Sequence, residues 1–597
     1  MILQSLVNYY EILANDEDSY IPKLSYCNAN VSYAVNLSLD GELLNIIPMK
    51  IGVQRGKRII EVPQSMEVPE QVKKSVGIKS NFLCENSSYI FGVDNKGEPE
   101  RSKKCFKAFK ELHTNVLQNI DNATAKAVIN FVSNWDIDRA IEHPSITEYL
   151  DEILSVANLV FKVDGGEFVH HNKEIRQAWE KYNSNSDNTN VMQCLVTGKE
   201  RSIARLHPSI KGVRGAQSVG GSMVSFNERA YESYGRDKQQ GLNSPVSEYA
   251  TFAYTTVLNY LLADTAHKIY LGDATIVFWA ESPKKIYQDF MSLYINGGTV
   301  NNDENLAKDE VAASEVKSIF EKIAQGKPID EMSDIFDEKT NFHILAISPN
   351  AARLAVRFFI SNSFGEFVKK IAIHYQDLRI EKQYPTDPDT FSVWRLLNET
   401  VSLKSNDKAA TPLMAGATLK AIITGFPYPA SLYNSIMLRI RAEKDINYYK
   451  VSIIKGYLLR KYKTTNKFKE VLTMALNEQS DNRAYIFGRL FAVLEKAQLD
   501  ANPKINTTIK DKYFTSACAT PGSVFPILLR LSQHHISKAE YGYTSDKKIA
   551  AILERLSIEN NPFPSNLLLD EQGVFILGYY HQRNALYKKN NIKSEEN

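Results

Sequence analysis

The feature that most constrains this chain is a glycine-rich block, HPSIKGVRGAQSVGGSMVSFNERAYESYG, at residues 207–235. It holds five glycines and lacks the regular apolar spacing from which helices and strands build a core. Glycine lets a backbone approach a ligand closely, and exposed backbone N–H groups can bind phosphate oxygens. Lys211, Arg214 and Gln217 add charge and hydrogen-bonding groups. We interpret the block as a binding surface; an ordered surface loop without a ligand fits these residues equally well.

Length and composition favour a soluble chain of several domains. At about 150 residues per domain, 597 residues predict roughly two to four domains. The five cysteines form no C-x-x-C pair, which argues against a disulfide framework and fits a reducing cytoplasm. The first residues lack the basic and apolar regions of a signal peptide, and no run approaches the ~18 apolar residues of a membrane span. We expect a cytoplasmic protein without a membrane segment.

The pattern of apolar residues predicts an α+β fold with two regions. Residues 1–395 form a mixed region with antiparallel β elements and recognition loops, with a possible sub-boundary in the polar stretch 181–190. Residues 396–597 read as an all-α helical bundle. Three local signals are clear, and we predict an amphipathic helix at 2–14, a β-hairpin turning at Asp40-Gly41 and a strand at 273–281.

Charge is segregated even though the net charge of the chain is only +2. Residues 401–470 contain 13 Lys/Arg and 4 Asp/Glu, and the densest part is KGYLLRKYKTTNKFK at 455–469. Cations that neutralise phosphates, interleaved with aromatic rings that stack on bases, are typical of a nucleic-acid track. A solvated helix face is the alternative interpretation.

Residues that could support catalysis are few. Asp273 and Glu281 flank the predicted strand at 273–281 and could be imagined as nuclease carboxylates, although such sites need several acidic ligands that converge on divalent metal. His374 with Asp377, and His170 with His171, have spacings that metal ligands also show. A helical surface pair and a turn explain them as well. We therefore predict no catalytic residue, no metal site and no cofactor.

Several polar blocks in fixed order resemble one family. ILQSLVNYYEILA, VGIKSNFLCENSSYIFGVD, CLVTG, HPSIKGVRGAQSVGGSMVSFN, NSPVSEYATFAYTTVLNYLL, GDATIVFWAE and ILAISPNAARLAVRFF are similar to the large subunit of the type I-C CRISPR interference complex (Cascade). The similarity is collinear over essentially the whole chain and least distinctive in the C-terminal third.

The resemblance implies a non-catalytic subunit of a crRNA-guided complex. Such a subunit reads a short protospacer-adjacent motif (PAM) in duplex DNA, helps to separate the strands and stabilises the displaced strand, while base pairing reads the sequence. The implied partners are crRNA, target double-stranded DNA, the Cascade backbone and crRNA-processing subunits, a helical small subunit, and a helicase–nuclease recruited after R-loop formation. A metal-dependent nuclease and a crRNA-binding scaffold remain alternatives.

Candidate contact residues follow from the resemblance and from side-chain chemistry. Amide and hydroxyl groups can bond base edges, and lysine can approach a phosphate. We expect PAM contacts on the loop at 77–94, with turn capping as the alternative for its asparagines, and duplex or strand-separation contacts on the glycine-rich block. The predicted DNA contacts are Lys79, Ser80, Asn81, Asn86, Lys211, Arg214 and Gln217. The predicted displaced-strand or subunit contacts are Arg353 and Arg357, which follow an S-P-N turn at helical spacing, and Lys455, Arg460, Lys461 and Lys463. An internal ion pair is an equal alternative for the two arginines at 353 and 357.

In this family the small subunit can be made from an internal start within the large-subunit gene. Met474 stands before a helix-forming segment, and Lys469-Glu470 can be encoded by purine-rich codons. We therefore read residues 474–597 as a module that resembles the small subunit, with an ordinary helix core methionine as the alternative.

Overall fold

A computed structural model of the chain describes residues 1–16, 19, 21–55, 58–72, 77–155, 157–184, 190–233, 235–296, 322, 336–389, 392–405, 410–556 and 562–595. The chain forms two compact units. Unit 1 comprises Met1, Leu3–Pro208 and Val224–Leu258, and unit 2 comprises Ile2, Ser209–Met223 and Asn259–Asn597. The predicted α+β class is confirmed, because sheets occupy the N-terminal part and helices the C-terminal part.

The strands lie in four sheets, three of them in unit 1. The strands are β1 Tyr26–Val31, β2 Tyr33–Leu37, β3 Leu43–Pro48, β4 Lys50–Arg55, β5 Arg58–Pro69, β6 Cys84–Glu85, β7 Leu159–Val163, β8 Val191–Gln193, β9 Glu200–Ser202, β10 Lys268–Leu271, β11 Ala274–Ala280, β12 Asn341–Asn350 and β13 Arg353–Ser363. The sheet orders are β1-β5-β4, β3-β2-β7-β6, β8-β9 and, in unit 2, β10-β11-β12-β13. Only the β2–β7 pair is parallel among the described strands.

Helices surround these sheets in unit 1 and dominate unit 2. The α-helices are Ile2–Ala14, Ser87–Ile90, Pro99–Leu117, Ala123–Asn134, Pro144–Thr147, Leu150–Leu154, Lys173–Ser184, Glu248–Ala263, Ile286–Asn296, Phe364–Leu378, Val393–Asn398, Pro412–Thr424, Ala430–Glu443, Tyr448–Lys461, Arg483–Ala501, Ile509–Ala519, Pro521–Lys538, Gly542–Leu553 and Leu569–Glu595. Short 3-10 helices span Ile137–Glu142, Val169–His171, Arg229–Tyr231 and Gln240–Asn243.

The three clear local signals in the sequence are confirmed. The predicted first helix is Ile2–Ala14, and the predicted strand at 273–281 is β11. The hairpin is β2–β3, in which Asn36 pairs with Asn45. Gly41 turns this hairpin with a φ of 88°, a left-handed conformation that glycine adopts without strain.

One hydrophobic core runs through most of unit 2. It contains Ile276 and Phe278 of β11 together with residues of the C-terminal helices such as Leu490 and Phe575. The predicted division at residue 395 therefore differs from the division into compact units, because the β10–β13 sheet packs with the helices that follow it. Residues 185–189 of the possible sub-boundary at 181–190 lie outside the described part of the chain.

The C-terminal helices are part of that core. Gly488 and Gly578 allow Arg483–Ala501 and Leu569–Glu595 to approach closely, since an added Cβ would lie 1.9 Å from the Phe575 carbonyl oxygen and 2.2 Å from that of Tyr485. Met474 is neither the start of a helix nor a helix core residue. It is half exposed in an irregular segment, and the next helix begins at Arg483.

Candidate nucleic-acid interface

The glycine-rich segment 209–223 is a closed loop on the β10–β13 sheet of unit 2. Ile210 and Gly221 exchange backbone hydrogen bonds of 2.8 and 2.9 Å, which close the loop at its base. Ser222 then bonds the Ala352 carbonyl and the Leu354 N–H, each at 3.0 Å, and so continues the sheet beside the first residues of β13. Gly220 is required at this closure. Its φ is +90°, and a Cβ would lie 2.6 Å from the Ile210 carbonyl oxygen.

Backbone tethers fix the loop while its polar side chains stay exposed. The Lys211 N–H donates to Asn259 Oδ1 at 2.8 Å, and the Arg214 N–H donates to the buried Thr275 hydroxyl at 3.0 Å. Lys211, Arg214 and Gln217 are all exposed. The loop therefore presents three hydrogen-bonding side chains from a rigid base, which is the arrangement that a binding surface requires.

The charge around this loop is positive. Residues 209–223 include two basic residues and no acidic residue. The Arg214 guanidinium lies 5.6 Å from the centroid of the Tyr270 ring, and the Lys268 amine lies 5.9 Å from it. Tyr270 is exposed, so it offers an aromatic surface flanked by two cations. No local sequence pattern marks Tyr270 as a site residue, because a tyrosine in a strand carries no local signal of exposure.

Arg353 and Arg357 lie on β13, so their predicted helical spacing is wrong. Arg353 begins the strand and pairs with Asn350 across the turn. The pairing skips Arg357, since Ala346 pairs with Phe358 whereas Ile347 pairs with Val356. Arg357 donates to Asp273 at 2.8 Å, and both side chains are about half exposed. Such a surface ion pair contributes only about 0–1 kcal/mol, so Arg357 can exchange Asp273 for another anion at little cost.

The loop at 77–94 is held by its own polar side chains. Asn81 is buried; its Oδ1 accepts from the Val72 N–H at 2.8 Å, and its N–H donates to Glu85 at 3.0 Å. Asn86 caps the helix Ser87–Ile90 by accepting from the Ser88 N–H at 3.1 Å. Asn86 therefore acts as a cap, whereas the buried Asn81 amide is held by the Val72 N–H and does not reach a base edge.

The other two candidates in this loop differ in exposure. The Ser80 hydroxyl is half-buried and donates to the Asn81 carbonyl at 2.9 Å. Lys79 is exposed. Of the four candidates in the loop, Lys79 is the one that the fold leaves free to approach a phosphate.

We expect Asn81→Ala to lower the free energy of unfolding by about 0.5–1.5 kcal/mol, because the hydrogen bond from the Val72 N–H to the Asn81 side chain is lost. Chemical denaturation of the purified chain measures this loss. Lys79→Ala is the control, and as an exposed substitution it should change stability by less than about 0.5 kcal/mol. If Asn81→Ala is as stable as the wild type but binds DNA more weakly, Asn81 is a DNA contact.

The predicted nucleic-acid run at 455–469 is divided by burial. Arg460 is buried and donates to Asp377 at 2.7 Å and to the carbonyls of Ala421 and Phe426 at 2.9 and 3.0 Å. Lys455 is also buried and donates to the Asp377 carbonyl at 3.0 Å, and burial lowers its pKa to about 8. Neither residue is on the surface, so the prediction that both contact a displaced strand or another subunit is wrong.

The exposed part of the run is the segment after the helix Tyr448–Lys461. Lys461 forms an ion pair with Asp570 at 2.6 Å, while Lys463 is exposed in the segment that follows. The interleaved aromatics are mostly not available to bases. Tyr457 is buried against Tyr433 with 4.3 Å between ring centroids, and Phe468 is buried.

The residues considered for catalysis do not form one site. Asp273 and Glu281 lie at opposite ends of β11, about 26 Å apart along an extended strand, and Glu281 bonds Asn341 and His343. His374 bonds the Tyr428 hydroxyl at 2.5 Å, whereas Asp377 bonds Arg460. Among the described residues, no three His, Cys, Asp or Glu side chains are grouped so that they could hold a metal ion. In the same part of the chain, no helix has the length and apolarity to cross a membrane.

Comparison with known families identifies the chain. The model of the family described as CRISPR-associated protein (Cas_Csd1) matches residues 6–587. The chain belongs to this family. It is thus a CRISPR-associated protein of the Cascade type. A search of curated proteins finds no match.

Membership in the Cas_Csd1 family covers both compact units. The match includes the closed loop at 209–223, the sheet beneath it and nearly all of the helical C-terminal part. Membership in a Cascade-type family suggests crRNA and a nucleic-acid complex as partners.

Proposed function

We propose that this chain is the non-catalytic large subunit of a type I-C crRNA-guided surveillance complex. It recognises the PAM in duplex DNA, assists strand separation and R-loop formation, stabilises the displaced strand and docks the helicase–nuclease. It assembles with crRNA, the Cascade backbone and crRNA-processing subunits, and a helical small subunit. The observation that carries the proposal is the closed 209–223 loop, which presents Lys211, Arg214 and Gln217 from a tethered base.

The side chains of the loop divide the work of DNA recognition. Lys211 and Arg214 neutralise phosphates, which positions the duplex without reading its sequence. Gln217 can donate and accept at once, and glutamine pairs with adenine N6 and N7 in the major groove. Because the backbone of the loop is fixed before DNA arrives, little ordering entropy is lost on binding.

The displaced strand is assigned to the exposed lysines after the helix Tyr448–Lys461. Lys463 and Lys467 are exposed there, and Asn466 and Phe468 hold left-handed φ values of 53° and 66°. Left-handed backbone at non-glycine residues persists where surrounding structure enforces it, and it clusters at functional segments. Cations on an enforced loop suit a single strand, whose binding depends on phosphate neutralisation.

The proposal assigns no catalytic residue. Its support is the separation of Asp273 and Glu281 by the length of β11, together with the ion pair that occupies Asp273. Cleavage is left to the helicase–nuclease that the complex recruits.

The test is PAM selection by the assembled complex. A pool of duplexes carries one target flanked by randomised base pairs, and the bound fraction is sequenced. We expect the wild-type complex to enrich a short motif. Gln217→Ala should reduce the discrimination between bases at one position of that motif by about 1–3 kcal/mol, or ~5- to 150-fold, because a bidentate base contact is lost.

Gln239→Ala is the matched control, since it removes the same amide from an exposed position outside the loop. An unchanged motif with uniformly weaker binding would make Gln217 a backbone contact. An unchanged motif with unchanged affinity would remove the 209–223 loop from the DNA interface.

A further inference from the structure

Two exposed tyrosines stand where two helices of unit 2 meet. Tyr541 follows the helix Pro521–Lys538, and Tyr543 lies in the first turn of the helix Gly542–Leu553. The exposed fractions are 71% for Tyr541 and 76% for Tyr543, the highest of any tyrosine in the part of the chain that the structure describes. We call residues 541–543 the tyrosine corner. Two adjacent rings left in water mark an interaction site, because each can bury about 150–250 Å² against a partner.

The backbone of the tyrosine corner is fixed by a close contact between the helices. Gly542 is buried, and an added Cβ would lie 1.9 Å from the Ile536 carbonyl oxygen of the preceding helix. The Gly542 N–H donates to the Ala539 carbonyl at 3.1 Å. The Thr544 N–H and hydroxyl both donate to the Tyr541 carbonyl, at 3.0 and 2.7 Å. The glycine thus holds one helix against the other, and the rings on either side of it face solvent from a rigid base.

Basic side chains lie on both sides of the two rings. The preceding helix presents three exposed ones, each four residues from the next: Arg530, His534 and Lys538. Lys547 follows Tyr543 by four residues on the next helix, where such a pair shares one face, and it is also exposed. Residues 530–548 contain four Lys/Arg and two Asp/Glu, a net charge of +2. The rings therefore stand within a positively charged surface.

The combination of rings and cations fits a single-stranded nucleic acid. Tyrosine is enriched in protein interfaces but lysine is depleted there, so a protein partner accounts for the rings and not for the lysines beside them. A duplex accounts for the lysines and not for the rings, because its bases are already stacked on one another. A single strand accounts for both, since its unpaired bases stack on aromatic rings while cations neutralise its phosphates.

We infer that the tyrosine corner is a base-stacking site for the displaced DNA strand; the inference rests on the proposed function. Once an R-loop has formed, the target strand is paired with crRNA, and the displaced strand carries the unpaired bases. The Cα atoms of Tyr541 and Tyr543 are at most about 7 Å apart, because only two residues of chain separate them. The two rings can therefore receive two successive bases. Every base has a π-face, so the site accepts any sequence.

The tyrosine corner adds a second kind of contact to the displaced-strand surface. Lys463 and Lys467 are exposed cations, and a contact between such a cation and a phosphate weakens as the salt concentration rises. Stacking on a ring releases no counterions, so it persists at higher salt. A base that is stacked on a tyrosine is not available to pair with the target strand. The corner therefore opposes re-annealing of the duplex.

The first experiment measures binding of a thymine oligonucleotide by the assembled complex across a salt series. Tyr541→Ala and Tyr543→Ala should each weaken binding by about 5- to 150-fold, which corresponds to the ~1–3 kcal/mol of one stacked base. The slope of log K against log salt should not change, because no phosphate contact is lost. Tyr541→Phe and Tyr543→Phe keep the rings and should bind like the wild type.

Two further variants separate stacking from charge and from general loss of surface tyrosine. Lys538→Ala with Lys547→Ala should lower the salt slope by about 1.4, because each phosphate contact on a single strand contributes about 0.7. Tyr384→Ala is the matched control, since it removes a 58% exposed tyrosine of unit 2 from outside the corner. This control should bind the oligonucleotide like the wild type. All the substituted positions are exposed, so the fold stays intact.

The second experiment locates the contact within the R-loop. Permanganate oxidises unstacked thymines, so a target whose displaced strand is a run of thymines reports which bases are stacked. We expect two successive thymines to be protected in the wild-type complex and oxidised in the variant that combines Tyr541→Ala with Tyr543→Ala. The corresponding double phenylalanine variant should keep both protected.

The inference is overturned if the double alanine variant binds the oligonucleotide and protects the thymines like the wild type, or if Tyr384→Ala causes the same losses. It is also overturned if the double alanine variant loses crRNA or a protein subunit, which would assign the tyrosine corner to assembly. A wild-type complex that binds no single strand would contradict the displaced-strand part of the proposed function as well. PAM reading is measured on duplexes by motif enrichment, so it stands or fails separately.

Discussion

Replacing Arg460 by alanine is expected to lower the free energy of unfolding by about 3–5 kcal/mol. The guanidinium is buried and bonds the Asp377 carboxylate and two backbone carbonyls, from Ala421 and Phe426. Alanine leaves a largely buried carboxylate and both carbonyls without this donor. Breaking one side of a buried pair costs more than the pair contributes, because the remaining charge has no compensation.

Urea denaturation of the purified chain measures this loss. Lys463→Ala is the matched control, because it removes a positive charge three residues away at an exposed position. We expect the control to change stability by less than about 0.5 kcal/mol and to weaken single-strand binding by the complex. The opposite pattern, with a stable Arg460→Ala chain that binds single strands poorly, would show that Arg460 is a surface contact.

Arg460 also shows where the sequence stops being informative. A run of lysines and arginines indicates a charged surface, but the ion pair that buries Arg460 comes from Asp377 on a different helix. No local pattern connects residues 83 positions apart in the chain. Lys455 is also buried, and it donates to the Asp377 carbonyl on that same helix. The run at 455–469 is therefore basic, as its sequence shows, but it does not form one continuous exposed surface.

Local periodicity succeeded wherever neighbours along the chain decide the structure. The helix Ile2–Ala14 follows from the helical spacing of its apolar residues. The turn follows from the Asp40-Gly41 pair, since glycine adopts the positive φ observed at Gly41. Strand β11 follows from its β-branched residues. Arg353 and Arg357 mark the limit of this reasoning. A separation of four residues is compatible with one face of a helix and also with one face of a strand. The segment forms a strand because it pairs with β12, which the local sequence does not reveal.

The compact units differ from the predicted domains for a related reason. Composition changes near residue 395 because strands give way to helices, but a compact unit is defined by a shared core. Ile276 and Phe278 pack in the same core as Leu490 and Phe575, so the sheet belongs with the helices.

Lys211→Ala combined with Arg214→Ala should weaken duplex binding by the assembled complex by about 3–6 kcal/mol, since a hydrogen bond to a charged group contributes about 1.5–3 kcal/mol. The salt slope should fall by about 2, and duplexes with and without the selected motif should lose affinity equally. Electrophoretic mobility shifts at two salt concentrations measure both quantities.

The tethers of the loop make this double variant interpretable. The loop is anchored by the backbone N–H groups of residues 211 and 214, on Asn259 and Thr275, and alanine keeps both bonds. The variant therefore removes cations without releasing the loop, and its free energy of unfolding should match that of the wild type within about 0.5 kcal/mol.

Lys504→Ala with Lys512→Ala removes the same charge from exposed positions near the C-terminal helices and should leave binding unchanged. Equal binding by the loop variant and this control would place the duplex elsewhere on the protein. A loss confined to duplexes with the motif would make Lys211 and Arg214 readers of bases, because a phosphate contact cannot distinguish one sequence from another.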